Sequence, residues 1–226
     1  MAATARGKFI TFEGLDGCGK STQLEKLAGY LRSRKLPVLA TREPGGTATG
    51  DRIRALLLDS RTAGLDAHTE LALMFASRAQ HVYEVILPAM RAGKIVLSDR
   101  FTDSSEAYQG GGRELGAEPV LALDRLLCAE LKPDLTILLD SDVAASVSRA
   151  RRRNLDRKKT GGRRKEDPQD EGRFERENQH FFERVHTAYH AIARREPERV
   201  AVIDARRSIE IVHGDIVKLV EKRLGF

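Results

Sequence analysis

Between positions 14 and 21 the chain reads Gly14-Leu15-Asp16-Gly17-Cys18-Gly19-Lys20-Ser21, which meets the pattern G-x-x-x-x-G-K-[ST] without a mismatch. These residue types at this spacing can hold a chain of phosphates. Glycines let backbone N–H groups face an anion, Lys20 reaches the terminal phosphates, and the hydroxyl of Ser21, followed by Thr22, meets a Mg²⁺ ion. The pattern has that meaning only as a turn between a buried strand and a helix, where the helix N-terminus also favours negative charge. Lys8-Phe9-Ile10-Thr11-Phe12 supplies the apolar, β-branched run before it, and Gln23-Leu24-Glu25-Lys26-Leu27-Ala28 has helical spacing after it. A nucleoside triphosphate is the ligand this stretch points to.

A carboxylate at a strand end beside such a loop organises Mg²⁺. Ile95-Val96-Leu97-Ser98-Asp99 offers one, and Leu135-Thr136-Ile137-Leu138-Leu139-Asp140 fits almost as well, so two candidates stand. Asp99 is preferred because Arg100 follows it and Tyr108-Gln109-Gly110-Gly111-Gly112-Arg113 lies on the same connection, at the carboxyl end where α/β sheets bind ligands. The three glycines predict a close approach of backbone to a neighbour. Further on, Arg149 and Arg153 are spaced i, i+4, which puts both guanidinium groups on one helical face.

The elements that must position these residues alternate along the chain. Pro37 to Thr41 reads as a second strand, left by the loop Arg42-Glu43-Pro44-Gly45-Gly46-Thr47. Ile53, Leu56 and Leu57 recur at helical spacing, and a long helical pattern over 66–92 carries Leu71, Met74, Phe75, Val82, Val85, Ile86 and Met90, with Arg78 among them. Helices are also expected over 121–131, 143–153, 174–195 and 209–224, with a fifth strand from Val200 to Asp204. Five strands alternating with helices predict an α/β fold, a five-stranded parallel sheet covered on both faces. With 226 residues and no internal repeat or linker, one domain over 1–226 is expected.

Composition narrows the class. At 41% hydrophobic and 32% charged residues the chain is of globular type. No apolar run approaches the ~18 residues of a membrane span, and Met1 to Lys8 has no signal-like apolar core, so a cytoplasmic protein without a membrane partner is expected. Cys18 and Cys128 are too few and too far apart for a disulfide framework or a zinc site. The net charge of +6 is concentrated: positions 149–165 hold ten basic residues against one acid, leaving the rest slightly acidic. That is not the broad basic face of a duplex-binding protein, and no nucleic-acid partner is expected. The Gly- and Pro-punctuated composition of this region predicts a mobile basic lid over about 150–172.

The order and spacing of Phe12-Glu13-Gly14, Arg42-Glu43-Pro44-Gly45-Gly46-Thr47, Ser98-Asp99-Arg100-Phe101, Ala107-Tyr108-Gln109-Gly110 and Arg173-Phe174-Glu175 add a second line of argument. Through them nearly the whole chain resembles the bacterial thymidylate kinases, a family of nucleoside monophosphate kinases. The resemblance implies a P-loop fold, transfer of the γ-phosphoryl group of ATP to dTMP with Mg²⁺, products ADP and dTDP on the way to dTTP, and a homodimer. It also implies roles for residues. Residues 14–22 and Arg149 would hold ATP, with Ser21 and Asp99 at the metal. Arg100 and Arg54 would grip the acceptor phosphate beside Asp16, and Arg78 would meet the thymine edge. Glu43, Ser105, Tyr108 and Gln109 would complete the substrate pocket.

Relatives commonly place an aromatic residue four before the helix arginine. Here that position is Met74, and Phe75 follows about 100° further round the helix, so either side chain can cover the base. The family also divides into members with a basic residue inside the phosphate loop and members with it in the lid. The loop here has no Lys or Arg between Gly14 and Gly19, so the lid arrangement fits and makes Arg153 a catalytic candidate alongside Lys20, Asp16 and Arg100. Two other readings stay open: a deoxynucleoside kinase with Glu43 as base on a hydroxyl, and a P-loop ATPase or nucleic-acid-binding module using the basic stretch as an arm.

Overall fold

The computed structural model describes residues 6–62, 64–160 and 173–225. Of the basic lid expected at 150–172, residues 150–160 continue a helix, and residues 161–172 lie outside the described residues.

The strand before the phosphate loop, β1 (Phe9–Glu13), is buried at every residue, as a central strand covered on both faces must be. It pairs in parallel with β3 (Ile95–Asp99) on one side and β4 (Leu135–Asp140) on the other. β2 (Val38–Arg42) and β5 (Val200–Asp204) form the edges, giving the order β2-β3-β1-β4-β5 with all strands parallel. The order reverses at β1, which leaves a crevice at its carboxyl end. The phosphate loop sits in that crevice.

One side of the sheet is covered by α1 (Lys20–Ser33) and α9 (Ile209–Leu224), whose Leu27, Leu31, Ile216 and Val220 are fully buried against Ile10, Phe12 and Leu97. On the other side the 66–92 pattern forms α3 (Ala67–His81), a wider π-helical turn at Val82–Ile86 and α4 (Leu87–Arg91). The widening adjoins Pro88, which has no N–H for the regular ladder. Asp66 caps α3 by accepting from the His68 and Thr69 N–H groups. Leu71, Phe75, Val82, Ile86 and Met90 enter the core with Phe9 and Val96. The apolar face of this segment is therefore spent inside the chain.

Between the strands run α2 (Ala48–Leu58), α5 (Thr102–Ser105), α6 (Ala117–Leu127), α7 (Val143–Thr160) and α8 (Gln179–Arg195). α6 begins and ends four residues earlier than the expected 121–131. Pro119 sits in its first turn, where its missing N–H costs nothing, and Ala129 and Glu130 adopt positive φ just past its end. α7 extends seven residues beyond the expected Arg153. The glycine run forms no loop tip: residues Glu106–Gly112 make a buried π-helical turn. A Cβ at Gly111 or Gly112 would collide with Ala188 or Phe181 of α8, so the close approach expected of these glycines is made to a helix and not to a ligand. Among the described residues no helix is long and apolar enough to cross a membrane.

Candidate active site

β1 ends at Glu13 and the chain turns through the loop into α1 with Gly14, Gly17 and Gly19 at positive φ. Gly17 needs its missing side chain because α7 packs on it: a Cβ would meet the Ser146 carbonyl. Gly19, at φ 103°, has nothing within 4 Å of its Cβ position, so this is where the loop opens to a ligand. Leu15 and Cys18 turn their side chains into the core, leaving their backbone to the loop. Burial pushes the Cys18 thiol up, which keeps it unreactive. Lys20 is buried and donates to the carbonyls of Gly14 (3.0 Å) and Leu15 (2.8 Å).

At the adjacent strand end the Ser21 hydroxyl donates to Asp99 Oδ2 at 2.5 Å. Two hard oxygen donors so close, beside a phosphate loop, suit Mg²⁺. Asp140 is engaged elsewhere, with His186 and His190 on α8, so of the two strand-end carboxylates Asp99 is the one at the loop.

Arg100 joins the loop to everything beyond it. Its Nη2 donates to Asp16 Oδ1 (2.9 Å) and Tyr108 Oη (3.2 Å), and its Nη1 to Ser104 Oγ (2.8 Å) and Tyr189 Oη (3.1 Å). The backbone of Arg100 lies at φ 77°, a conformation that costs a residue with a Cβ about 1 kcal/mol or more. The Arg100 N–H donates to the Phe12 carbonyl (3.0 Å), and Ser98 Oγ donates to the Arg100 carbonyl (2.8 Å), which fixes that conformation. Burial alone would raise the Asp16 carboxyl, but Arg100 and Lys20 outweigh it and hold Asp16 well below the usual carboxylate range. Both members of the pair stay charged.

Two cavities meet here. One is lined by the loop residues Asp16, Gly17, Gly19, Lys20, Ser21 and Thr22, by Asp99, and by Arg42, Arg149 and Arg153. The other is lined by Leu58, Met74, Arg78, Ser104, Ser105, Tyr108, Gln109, Asn154 and Phe174. Asp16, Glu43, Arg54, Arg100 and Arg153 line both. The first is a cationic trough with oxygen donors for a metal; the second is half apolar, with polar groups along one edge. Arg149 reaches the loop directly, its Nε donating to the Gly17 carbonyl at 2.8 Å.

The floor of the second cavity is an ion-pair group. Arg78 donates from Nε to Glu43 Oε2 (2.7 Å) and from Nη2 to Ser105 Oγ (2.9 Å) and the Phe101 carbonyl (3.1 Å). His81 lies 2.9 Å from Glu43 Oε1. Burial opposes the Glu43 charge, yet Arg78 and His81 hold its carboxyl below the ordinary value. With both oxygens engaged, Glu43 is not a free base. Arg78 Nη1 and Asn154 Nδ2 are buried donors with no partner among the described residues, an arrangement that suits an acceptor group in the cavity.

Phe75 is a correction to the expected pocket. It is 0% exposed and packs in the core, its ring 4.6 Å from the Arg78 guanidinium, and Met74 lines the cavity in its place. The helix rotation of one residue decides this.

The comparisons with known proteins agree with one another. The thymidylate kinase family model matches residues 12–216. The chain belongs to the thymidylate kinase family. It is 50% identical to the thymidylate kinase of Desulfovibrio desulfuricans over 204 residues, 90% of each chain, and 47% identical to that of Bordetella pertussis over 94% of each. The crystal structure of thymidylate kinase from Ehrlichia chaffeensis superimposes with a TM-score of 0.73 at 32% identity, covering 96% of this chain and 99% of that one.

Several residues around this kinase site escape sequence reasoning. Glu13 is buried at the end of β1, accepting from the Phe101 N–H (2.7 Å), Ser104 Oγ (2.5 Å) and Tyr189 Oη (3.1 Å). Burial, with Asp103 nearby, pushes its carboxyl up to about 7. Its signal was a lone acid ending an apolar strand. Glu70 is likewise fully buried, taking Gln109 (2.7 Å), Arg113 (3.1 Å) and Arg173 (2.7 Å) and so tying the cavity wall to the start of the Arg173-Phe174 turn. Tyr189 sits within the apolar stripe of α8, and nothing local separates it from core.

Proposed function

We propose that this kinase transfers the γ-phosphoryl group of ATP to dTMP, releasing ADP and dTDP, in the cytoplasm and as a homodimer. The observation that carries the reading is the pair of abutting cavities sharing Asp16, Glu43, Arg54, Arg100 and Arg153. A donor triphosphate in the loop-lined trough and a monophosphate in the half-apolar cavity meet at those residues.

An acceptor phosphate is already an oxyanion, so no general base is needed. The work is alignment of two polyanions and neutralisation of charge as the phosphoryl group moves. Arg100 and Arg54 hold the acceptor phosphate, with Asp16 fixing the Arg100 fork for paired hydrogen bonds. Lys20 and Arg149 hold the donor phosphates, and Arg153 spans both sides. Ser21 and Asp99 are the residues that hold Mg²⁺, whose charge offsets that of the phosphate oxygens. Arg78 Nη1, Ser105 and Gln109 face the polar edge of the base, while Met74, Leu58 and Phe174 cover its apolar surface.

Titration calorimetry tests the acceptor side. dTMP binds at least about 100-fold more tightly than thymidine, because Arg100 and Arg54 recognise the phosphate. Equal affinities would restore the nucleoside kinase reading.

A further inference from the structure

Asp140 ends β4 one strand away from the phosphate loop, and its carboxylate serves a second cluster. His186 and His190 stand one turn apart on α8 and both aim Nε2 at Asp140 Oδ1, at 2.8 Å and 3.1 Å. The two Nε2 atoms are 3.2 Å from each other. The side chains are 34%, 30% and 26% exposed for His186, His190 and Asp140, so an ion can reach the point where they converge.

Hydrogen bonds alone serve the three atoms only when both imidazoles carry their proton on Nε2 and both donate to Asp140 Oδ1, which leaves the two N–H groups side by side at 3.2 Å. A divalent ion serves all three. Four-coordinate Zn²⁺ has bonds of about 2.0–2.1 Å, which sets its ligand atoms about 3.3 Å apart. The present separations of 2.8 to 3.2 Å need only a slight opening to accept it. The i, i+4 histidine pair brings both nitrogens to one face of a helix that is already packed, so little ordering is left to do on binding.

We propose that Asp140, His186 and His190 form a transition-metal site of the Zn²⁺ class, with solvent in the fourth position. Two imidazole nitrogens exclude Mg²⁺ and Ca²⁺, which take oxygen ligands, and separate this site from the Ser21 and Asp99 pair. The ion clips the end of β4 to α8. That helix carries Tyr189, whose hydroxyl bonds Arg100, so the clip braces one support of the phosphate-gripping guanidinium.

The test uses the full chain without any histidine tag, in excess Mg²⁺ to occupy oxygen-donor sites. Zn²⁺ is titrated by calorimetry, and Co²⁺ is followed by its visible absorption. One Zn²⁺ per chain is expected, with a raised melting temperature and Co²⁺ ligand-field bands of a four-coordinate, nitrogen-ligated ion. His186→Gln and His190→Gln each weaken binding by more than about 100-fold, since even outer-shell partners of a metal are worth 10–100-fold. The Co²⁺ spectrum of the unsubstituted chain reports the ligands even if a variant folds poorly. Absence of binding, bands of an all-oxygen six-coordinate ion, or affinity unchanged in both variants would overturn the proposal.

Discussion

Arg100 Nη2 lies 2.9 Å from Asp16 Oδ1, and this contact joins the phosphate loop to the half-apolar cavity lined by Met74, Arg78 and Gln109. The backbone beneath it is held at φ 77°. Replacing the side chain therefore has two separable effects. Arg100→Ala and Arg100→Gly both lower kcat/KM for dTMP by about 100-fold or more, because the paired donors are gone. Only the glycine variant relieves the backbone, so it melts at a higher temperature than the alanine variant. Steady-state kinetics and thermal melts on the two proteins read this; equal melting temperatures would show that the backbone is unstrained.

Met74 and Phe75 are neighbours in sequence with opposite surroundings. Met74→Ala opens the wall of the acceptor cavity and raises KM for dTMP with little change in stability. Phe75→Ala empties a fully buried site and costs about 3–5 kcal/mol of folding free energy. Denaturant titration alongside dTMP saturation curves distinguishes them. A large stability loss at Met74 with none at Phe75 would reverse the assignment.

Glu13 makes stability depend on pH in a defined window. Its carboxyl has an ordinary value of 4.5 and is raised to about 7 in the fold. Between those values the folded chain keeps a proton that the unfolded chain has lost. Stability from this group is thus full below the unfolded value and falls as pH rises toward 7, by on the order of 3 kcal/mol. Asp16 and Glu43 are shifted the opposite way, so their contributions are lost only as pH falls below the ordinary carboxylate range. Subtracting the Glu13→Gln profile from that of the parent chain between pH 4.5 and 7.5 isolates the slope. Parallel profiles would mean that Glu13 titrates normally.

Much of this was legible in the residues because it is local. The run from Lys8 to Ala28 announces strand, loop and helix by composition alone, and Ser98-Asp99-Arg100 marks a second strand end where a charge must face a ligand. The strand order was not legible, since nothing near Ile95 or Leu135 says that both lie against β1. Which of Met74 and Phe75 meets the cavity was not legible, because one helical step separates core from cavity and only the packing of α3 on α2 and α6 fixes the rotation. Tyr189, a partner of Arg100 89 positions away, has no local signature at all. The glycines at 110–112 did announce a close approach, but the identity of the neighbour, α8, came from tertiary structure.

In the proposed function a monophosphate enters the cavity beyond Arg100 and takes the phosphoryl group across the boundary shared with the loop. Release of ADP, measured with ATP and Mg²⁺ against dTMP, dUMP, dCMP, AMP, thymidine or no acceptor, tests it directly. ADP release that depends on dTMP, is negligible with thymidine and is abolished in Arg100→Ala is the predicted result. ADP release driven by thymidine, or proceeding equally without an acceptor, would contradict the account.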